Sequence, residues 1–401
     1  MVKRYTSTYI TDDSENETNI LFRKTLLKKS VSNPKNVWNV LLSWLFTQQK
    51  DYGKAFIQDR ALYQRNPTDL SAIFSLGKIA FENKSYIDSK KCFNFIIKES
   101  TLDEEKIDAN LYLTKISVAT NNPETENLFQ KLFSEFGKNT LTIKLQVAYA
   151  DFLTFTKNEP EKAKEILEKA LGFSKSKYDK ARIKLKLGDI LVFTGNYNKA
   201  LIYFSQIQAK LKGDELAQQA RFKVAQTSYF KGDFSWAKAQ LKVLKGSTTQ
   251  LIANDALELF LIITDNEPVD SIPSGLKQFA KAELLAFQNK TQKAIDTLSI
   301  INKNFKGQPI EDEALFKQAK LFIDIENYEA AILNLKNVVS LNPEGILIDD
   351  AYYELAELYN NHLNNPEKAS EYYQKIIFEH SSSIYLVDAR KKYRKLRGDK
   401  I

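Results

Sequence analysis

The feature of this sequence that most limits its fold is a small residue that recurs at a nearly constant spacing. Successive positions in this series are 34, 74, 37, 37, 57, 37 and 38 residues apart, and the spacing of 74 is twice 37. A period of this length predicts an array of structural repeats. The positions are Ala55, Ser89, Ala163, Ala200, Ala237, Ala294, Ala331 and Ala369.

The residues around Ala200 show what one repeat contains. Residues 187–207 read LGDILVFTGNYNKALIYFSQI, which is two amphipathic segments separated by Gly195 and Asn196. Apolar residues at helical spacing predict two helices, and the small residues Gly188 and Ala200 mark the place where the helices touch. One such hairpin cannot bury its apolar face alone, so the sequence predicts hairpins that stack on one another.

These residues resemble the tetratricopeptide repeat family over about residues 36–380. The resemblance implies an all-α, right-handed α-solenoid of about nine to ten hairpins with a C-terminal capping helix. It also implies that a protein or peptide partner binds on the concave face formed by the first helices. The matching positions are Leu187, Gly188, Ala200, Phe204, Ala319, Phe322, Ala331, Leu335 and Pro343.

Breaks in the pattern predict how the array is divided. We expect a polar, disordered start at 1–18, an N-terminal sub-array at 19–247 with an incomplete first repeat, and a second sub-array at 276–380. Between the sub-arrays, residues 248–275 predict an irregular helix and a Pro-containing loop that forms a bend. Residues 381–401 predict a basic capping helix and tail. The incomplete first repeat indicates that the chain is the C-terminal part of a longer array.

The sequence offers little that could carry catalysis. It has one cysteine and two histidines, and no metal-protease, redox, nucleophile-elbow or phosphate-loop motif occurs. Cys92 lies beside Phe93 in a helical segment, which favours a buried structural thiol over a nucleophile. We therefore expect no enzyme, no cofactor, no metal and no small-molecule substrate. The net charge of +8 is compatible with acidic partners, but no nucleic-acid partner is expected.

Two sets of residues are candidates for partner binding. The family's groove positions fall on Arg182, Leu185, Asp189, Phe193, Phe222, Lys223, Gln226, Tyr229, Phe316, Lys317, Lys320 and Asp324. This mixture of aromatic and basic residues indicates a partner with acidic and apolar groups, although some of these side chains could instead only pack between hairpins. The second set is a candidate for an anionic surface, or else the solvated face of the capping helix: Arg390, Lys391, Arg394, Lys395 and Arg397.

The expected function is a non-enzymatic scaffold for protein or peptide partners. Residues 349–377 resemble bacterial cell-envelope repeat proteins, and residues 232–266 resemble long Bacteroidetes repeat proteins of undefined function. This resemblance implies a periplasmic or outer-membrane-associated place, in a complex at the membrane, with the export signal on a missing N-terminal part. The alternative is a cytoplasmic regulatory or peptide-sensing module that lacks its N-terminal effector domain.

Overall fold

The protein is built from α-helices throughout the part that the structure describes. The computed structural model describes residues 6, 8–11, 13–246, 250–267 and 274–399, and these residues form twenty-one α-helices and no strand. The helices are α1 Glu17–Ser32, α2 Asn36–Gln48, α3 Tyr52–Arg65, α4 Ser71–Glu82, α5 Tyr86–Glu99, α6 Asp103–Ala119, α7 Thr125–Phe136, α8 Ile143–Phe155, α9 Pro160–Phe173, α10 Lys177–Phe193, α11 Tyr197–Lys210, α12 Glu215–Phe230, α13 Phe234–Leu244, α14 Gln250–Asp265, α15 Leu276–Phe287, α16 Thr291–Asn304, α17 Ile310–Asp324, α18 Tyr328–Leu341, α19 Ile348–Asn361, α20 Pro366–Glu379 and α21 Leu386–Arg397. The all-α class and the repeated packing of neighbouring helices are confirmed. None of the described helices is both long and apolar enough to cross a lipid bilayer.

The small residues of the repeat lie where the two helices of a hairpin approach most closely. In the hairpin α10–α11, a Cβ atom on Gly188 would lie 2.3 Å from Cε1 of Phe204, whose ring is fully buried. In the hairpin α4–α5, the hydroxyl of Ser89 donates a hydrogen bond of 2.9 Å to the carbonyl of Gly77. The recurring small residue is therefore required by the distance between the helices, as the sequence indicated.

Each hairpin turns through one residue in the left-handed backbone region. Glycine adopts this conformation without strain, whereas other residues adopt it at a cost. In the described part of the chain, nine pairs of successive helices are joined by a short turn that contains such a residue, and we count these pairs as hairpins. The residues are Lys50, Lys84, Asn121, Asn158, Gly195, Gly232, Asn289, Glu326 and Asn364.

The first of two compact units comprises Met1–Lys157 and Glu165–Ser174. Its main core extends from Leu26 to Ile116 and includes the fully buried Cys92. Burial raises the pKa of the Cys92 thiol to about 12, so the thiol is a poor nucleophile, as expected of a structural cysteine. Near the N-terminus, the fully buried Asn19 donates hydrogen bonds to the carbonyls of Thr11, at 2.8 Å, and Asp13, at 2.6 Å.

The predicted disordered start therefore holds ordered contacts between Thr11 and Asn19. The side chain of Asn16 caps α1, accepting from the backbone N–H groups of Thr18 and Asn19. Residues 1–5, 7 and 12, which belong to the same predicted segment, lie outside the described residues.

The second unit comprises Asn158–Lys164 and Lys175–Ile401. The sequence predicts a bend between two sub-arrays at residues 248–275, and this stays a prediction. Helix α14 occupies the predicted irregular segment, and its buried residues Ile252, Ala256 and Ile263 share one core with residues of α13 and α15. Because the extra helix fills the space between its neighbours, the packing continues through this region. Most of the predicted Pro-containing loop, residues 268–273, lies outside the described residues.

Candidate functional site

The first helices of unit 2, namely α10, α12, α15, α17 and α19, form what we call the first-helix face. Ion pairs join these helices one repeat apart. Lys223 lies 3.1 Å from Asp189, Lys317 lies 2.9 Å from Glu283, and Lys320 lies 3.6 Å from Glu354. The three lysines that the sequence assigned to an acidic partner are therefore paired with carboxylates of this chain.

The predicted residues of α10 are divided between the surface and the interior. The Arg182 side chain is partly exposed and contacts Asp179 at 3.2 Å, whereas Asp189 and Phe193 are buried. Burial acts to raise the pKa of Asp189, but Lys223 and Lys186, each 3.1 Å away, outweigh it and lower that pKa. Asp189 is thus an ionised anchor between helices.

A cavity of about 390 Å³ opens on the first-helix face between α12, α14, α15 and α17. Four predicted residues meet in its lining: Phe222, Gln226, Tyr229 and Lys317. The Tyr229 ring is fully buried. Apolar lining comes from Phe230, Leu259, Ile262, Ala286 and Phe287. A volume of this size is typical of a pocket that holds a ligand group.

Phe316 and Lys320, which the sequence also predicts on α17, lie outside this lining. The ammonium group of Lys320 lies 5.0 Å from the ring centroid of Phe316, and the same ammonium pairs with Glu354. These residues belong to the same face but to its part beside α19.

The cavity is also lined by three carboxylates that the sequence did not single out. They are Asp255 and Glu258 from α14, and Glu283 from α15. Glu283 accepts a hydrogen bond of 3.0 Å from the Tyr229 hydroxyl through Oε2, and Lys317 contacts its Oε1. The sequence held a signal for Glu283, because it precedes Lys317 by 34 residues, the same separation as Asp189 and Lys223. Helix α14 has no counterpart in the other repeats, so no repeated spacing in the sequence could indicate that Asp255 and Glu258 belong to the site.

Asp255, Glu258 and the nearby Glu313 bind protons more strongly than usual. Burial raises the pKa of Asp255. Burial, followed by repulsion from Glu283 and Asp255, raises the pKa of Glu258. Burial and the carboxylates of Asp312, Glu258, Glu283 and Asp350 raise the pKa of Glu313, on α17, to about 7. The site thus concentrates negative charge in a poorly solvated place.

At the C-terminal end of unit 2, helix α21 is held by a polar cluster that involves Lys392. Its ammonium group lies 2.7 Å from Glu357 and 2.9 Å from Asp388, and it contacts the hydroxyl of Tyr353 at 2.9 Å. These contacts position the predicted anionic-surface residues. Arg390, Lys391, Lys395 and Arg397 are exposed, Arg394 is half-buried, and Arg397 pairs with Asp399.

The described residues contain no group of three or more His, Cys, Asp or Glu side chains that could hold a metal ion. The two histidines contact tyrosine rings: His362 lies beside Tyr328 and His380 beside Tyr352. What the face offers chemically is a cavity with aromatic walls and several carboxylates.

Comparison with solved structures finds many weak likenesses. PilW, a type IV pilus biogenesis factor, is 14% identical, covering 61% of this chain and 98% of its own, with a TM-score of 0.37. The apo form of RapI is 11% identical, covering 82% of this chain and 97% of its own, with a TM-score of 0.39. The Cut9–Hcn1 hetero-tetramer of the APC/C is 14% identical, covering 94% of this chain and 87% of its own, with a TM-score of 0.28. At these TM-scores the likenesses support no conclusion about function.

No curated protein matches the chain. Residues 350–383, which contain most of α19 and all of α20, match the family model described as tetratricopeptide repeat. Hairpins with a left-handed turn recur along the described part of the chain, and eight of them carry the small residue of the repeat in their second helix. The chain is therefore similar to the tetratricopeptide repeat proteins, by sequence at residues 350–383 and by its repeated helical hairpins elsewhere.

Proposed function

We propose that this protein is a non-catalytic scaffold that holds a polypeptide partner on the first-helix face of unit 2. The observation that supports this most is the cavity of about 390 Å³ between α12, α14, α15 and α17, where aromatic walls meet charged groups. Aromatic residues around a recess supply most of the binding free energy at protein interfaces. The repeat fold holds these side chains on rigid helices, which reduces the entropy lost on binding.

Site-specific cross-linking tests this proposal. A photoreactive phenylalanine analogue replaces Phe222 in the cavity, and in a matched control it replaces Trp236, which is 52% exposed on the second helix α13. We expect one polypeptide from extracts of the source organism to cross-link at position 222 and not at 236. Equal cross-linking from both positions, or none from 222, would overturn the proposal.

A substitution complements the cross-linking. Phe222→Ala with Gln226→Ala removes two half-buried side chains from the lining. Tyr229 is left intact because its fully buried ring also supports the fold. We expect the double variant to melt close to the wild-type temperature and to lose the polypeptide that cross-links at position 222.

We also propose that the scaffold acts in a bacterial cell-envelope complex. The support is the resemblance of residues 349–377 to envelope repeat proteins. Fractionation of the source cells tests this place. Recovery with periplasmic or membrane proteins is the expected result, and recovery in the cytosol would favour the regulatory, peptide-sensing alternative.

A further inference from the structure

The cavity lining carries more negative than positive charge. Three carboxylates and one lysine line it, and the lysine, Lys317, is paired with Glu283. Neither Asp255 nor Glu258 forms an ion pair with any residue that the structure describes. An acidic partner would have to displace the carboxylates that hold the lysines of this face, which costs free energy. The charge of the cavity therefore favours a cation.

The same face already shows how it holds an ammonium group. Nζ of Lys223 lies 5.8 Å from the ring centroid of Phe287 and 3.1 Å from the carboxylate of Asp189. A cation between an aromatic ring and a carboxylate gains from the ring quadrupole and from the opposite charge. Phe287 lines the cavity, and Phe230, whose ring centroid is 6.0 Å away, stands beside it. The cavity thus combines the two kinds of group that bind this lysine.

The surroundings of the cavity add to this preference. Glu313 lies within electrostatic reach of Asp312 on its own helix, Glu258 on α14, Glu283 on α15 and Asp350 on α19. These carboxylates repel one another, and a positive charge placed among them relieves the repulsion. The nearby lysines, Lys317 and Lys320, each pair with another carboxylate.

Building on the proposed function, we propose that the group bound in this cavity is a lysine or arginine side chain of the partner polypeptide. Its charged end lies between Asp255, Glu258 and the aromatic rings, while its methylene groups and an apolar neighbour in the partner pack on Phe222 and Phe287. The charge complementarity of the cavity selects this occupant, and the volume has room for a long side chain.

The test uses a library of random peptides displayed on phage and selected on the full chain. The selected peptides are synthesised with a fluorescent label, and their affinity is measured by fluorescence anisotropy. We expect a lysine or arginine beside an apolar residue. Replacing that arginine by its neutral isostere citrulline, or a lysine by norleucine, weakens binding by about tenfold or more.

Two pairs of isosteric substitutions locate the cation. Asp255→Asn with Glu258→Gln removes the charge of the cavity and lowers the affinity by a similar factor. Glu329→Gln with Glu344→Gln removes two exposed carboxylates of the same unit elsewhere and leaves the affinity unchanged. Because all four changes preserve side-chain shape, a difference between the pairs reports on charge at the cavity.

Lowering the pH supplies a second readout. As pH falls from 8 to 6, Glu313 binds a proton and the negative charge around the cavity decreases, so the affinity for the basic peptide falls severalfold. Glu313→Gln reduces this dependence.

The results separate this inference from the proposed function. Peptides that lose binding with Phe222→Ala but carry no essential basic residue would refute the cation and preserve the scaffold. A failure to select any peptide, or selected peptides whose binding is unchanged by Phe222→Ala, would refute the docking site and the inference together.

Discussion

The replacement of Gly188 by alanine tests the close helix contact on which the repeat depends. The new Cβ would lie 2.3 Å from Cε1 and 2.5 Å from Cζ of Phe204, although carbon atoms pack best at about 3.5–4.0 Å. The Phe204 ring is fully buried, so it cannot move into solvent without losing its packing. Overpacking costs about 1–3 kcal/mol, and a contact this short belongs to the upper part of that range, about 2–3 kcal/mol, against a gain of about 1 kcal/mol in helix propensity. We expect a net loss of about 1–2 kcal/mol in the free energy of unfolding.

Urea unfolding followed by circular dichroism measures this loss, and two other glycines calibrate it. A Cβ on Gly77 would lie 2.9 Å from Cζ of Phe93, so Gly77→Ala has a smaller cost. A Cβ on the exposed Gly172 meets nothing within 4 Å, so Gly172→Ala is neutral or slightly stabilising.

A second substitution tests the cause of the Gly188→Ala loss. Phe204→Leu makes room for the new methyl group, so the double variant is more stable than the sum of the two single losses predicts, by about 1 kcal/mol. A neutral Gly188→Ala, or losses that simply add, would refute the reasoning.

Three further predictions concern charge and turns. The raised pKa of Glu313 gives stability that is fully present below its unfolded value near 4.5 and is lost as pH rises through about 7. Glu313→Gln is therefore more stable than wild type by about 1–3 kcal/mol at pH 8, and the two converge near pH 4 in thermal melts at each pH. Lys392→Met leaves Glu357 and Asp388 without their ammonium partner, so it lowers the free energy of urea unfolding by about 1–3 kcal/mol; an unchanged transition would contradict this role. Glu326 occupies a turn with φ of 60°, so Glu326→Gly raises the melting temperature and stabilises the protein by about 0.5–1 kcal/mol, and a lower melting temperature would show that the turn is not strained.

The fold could be predicted well from the sequence because each repeat needs small residues at the contact between its two helices. Gly188 and Ala200 are small since Phe204 and the facing helix leave no room, and this requirement is visible without coordinates. The period then fixes the helix pairs along the chain. The packing of α14 was not predictable in the same way, because its residues, which share one core with α13 and α15, depart from the repeat pattern.

The candidate site was predicted only in part. Phe222, Gln226, Tyr229 and Lys317 were found because they occupy register positions of first helices. The charge of the site was not found, since a lysine in a sequence does not show which carboxylate it faces. Glu283 neutralises Lys317 from the preceding first helix, and the 34-residue separation that this pair shares with Asp189 and Lys223 is recognised as a pairing only when the helices are placed side by side.

Glu283 also gives the first-helix face a mechanical property. One of its oxygens accepts from Tyr229 on α12 and the other contacts Lys317 on α17, so this single carboxylate ties together two helices on either side of α15. A cationic ligand that draws on either oxygen competes with one of these ties. We therefore expect occupancy of the cavity to change the local opening of α12 and α17, which amide hydrogen exchange would register. The carboxylate at the proposed docking site is also a link between consecutive repeats.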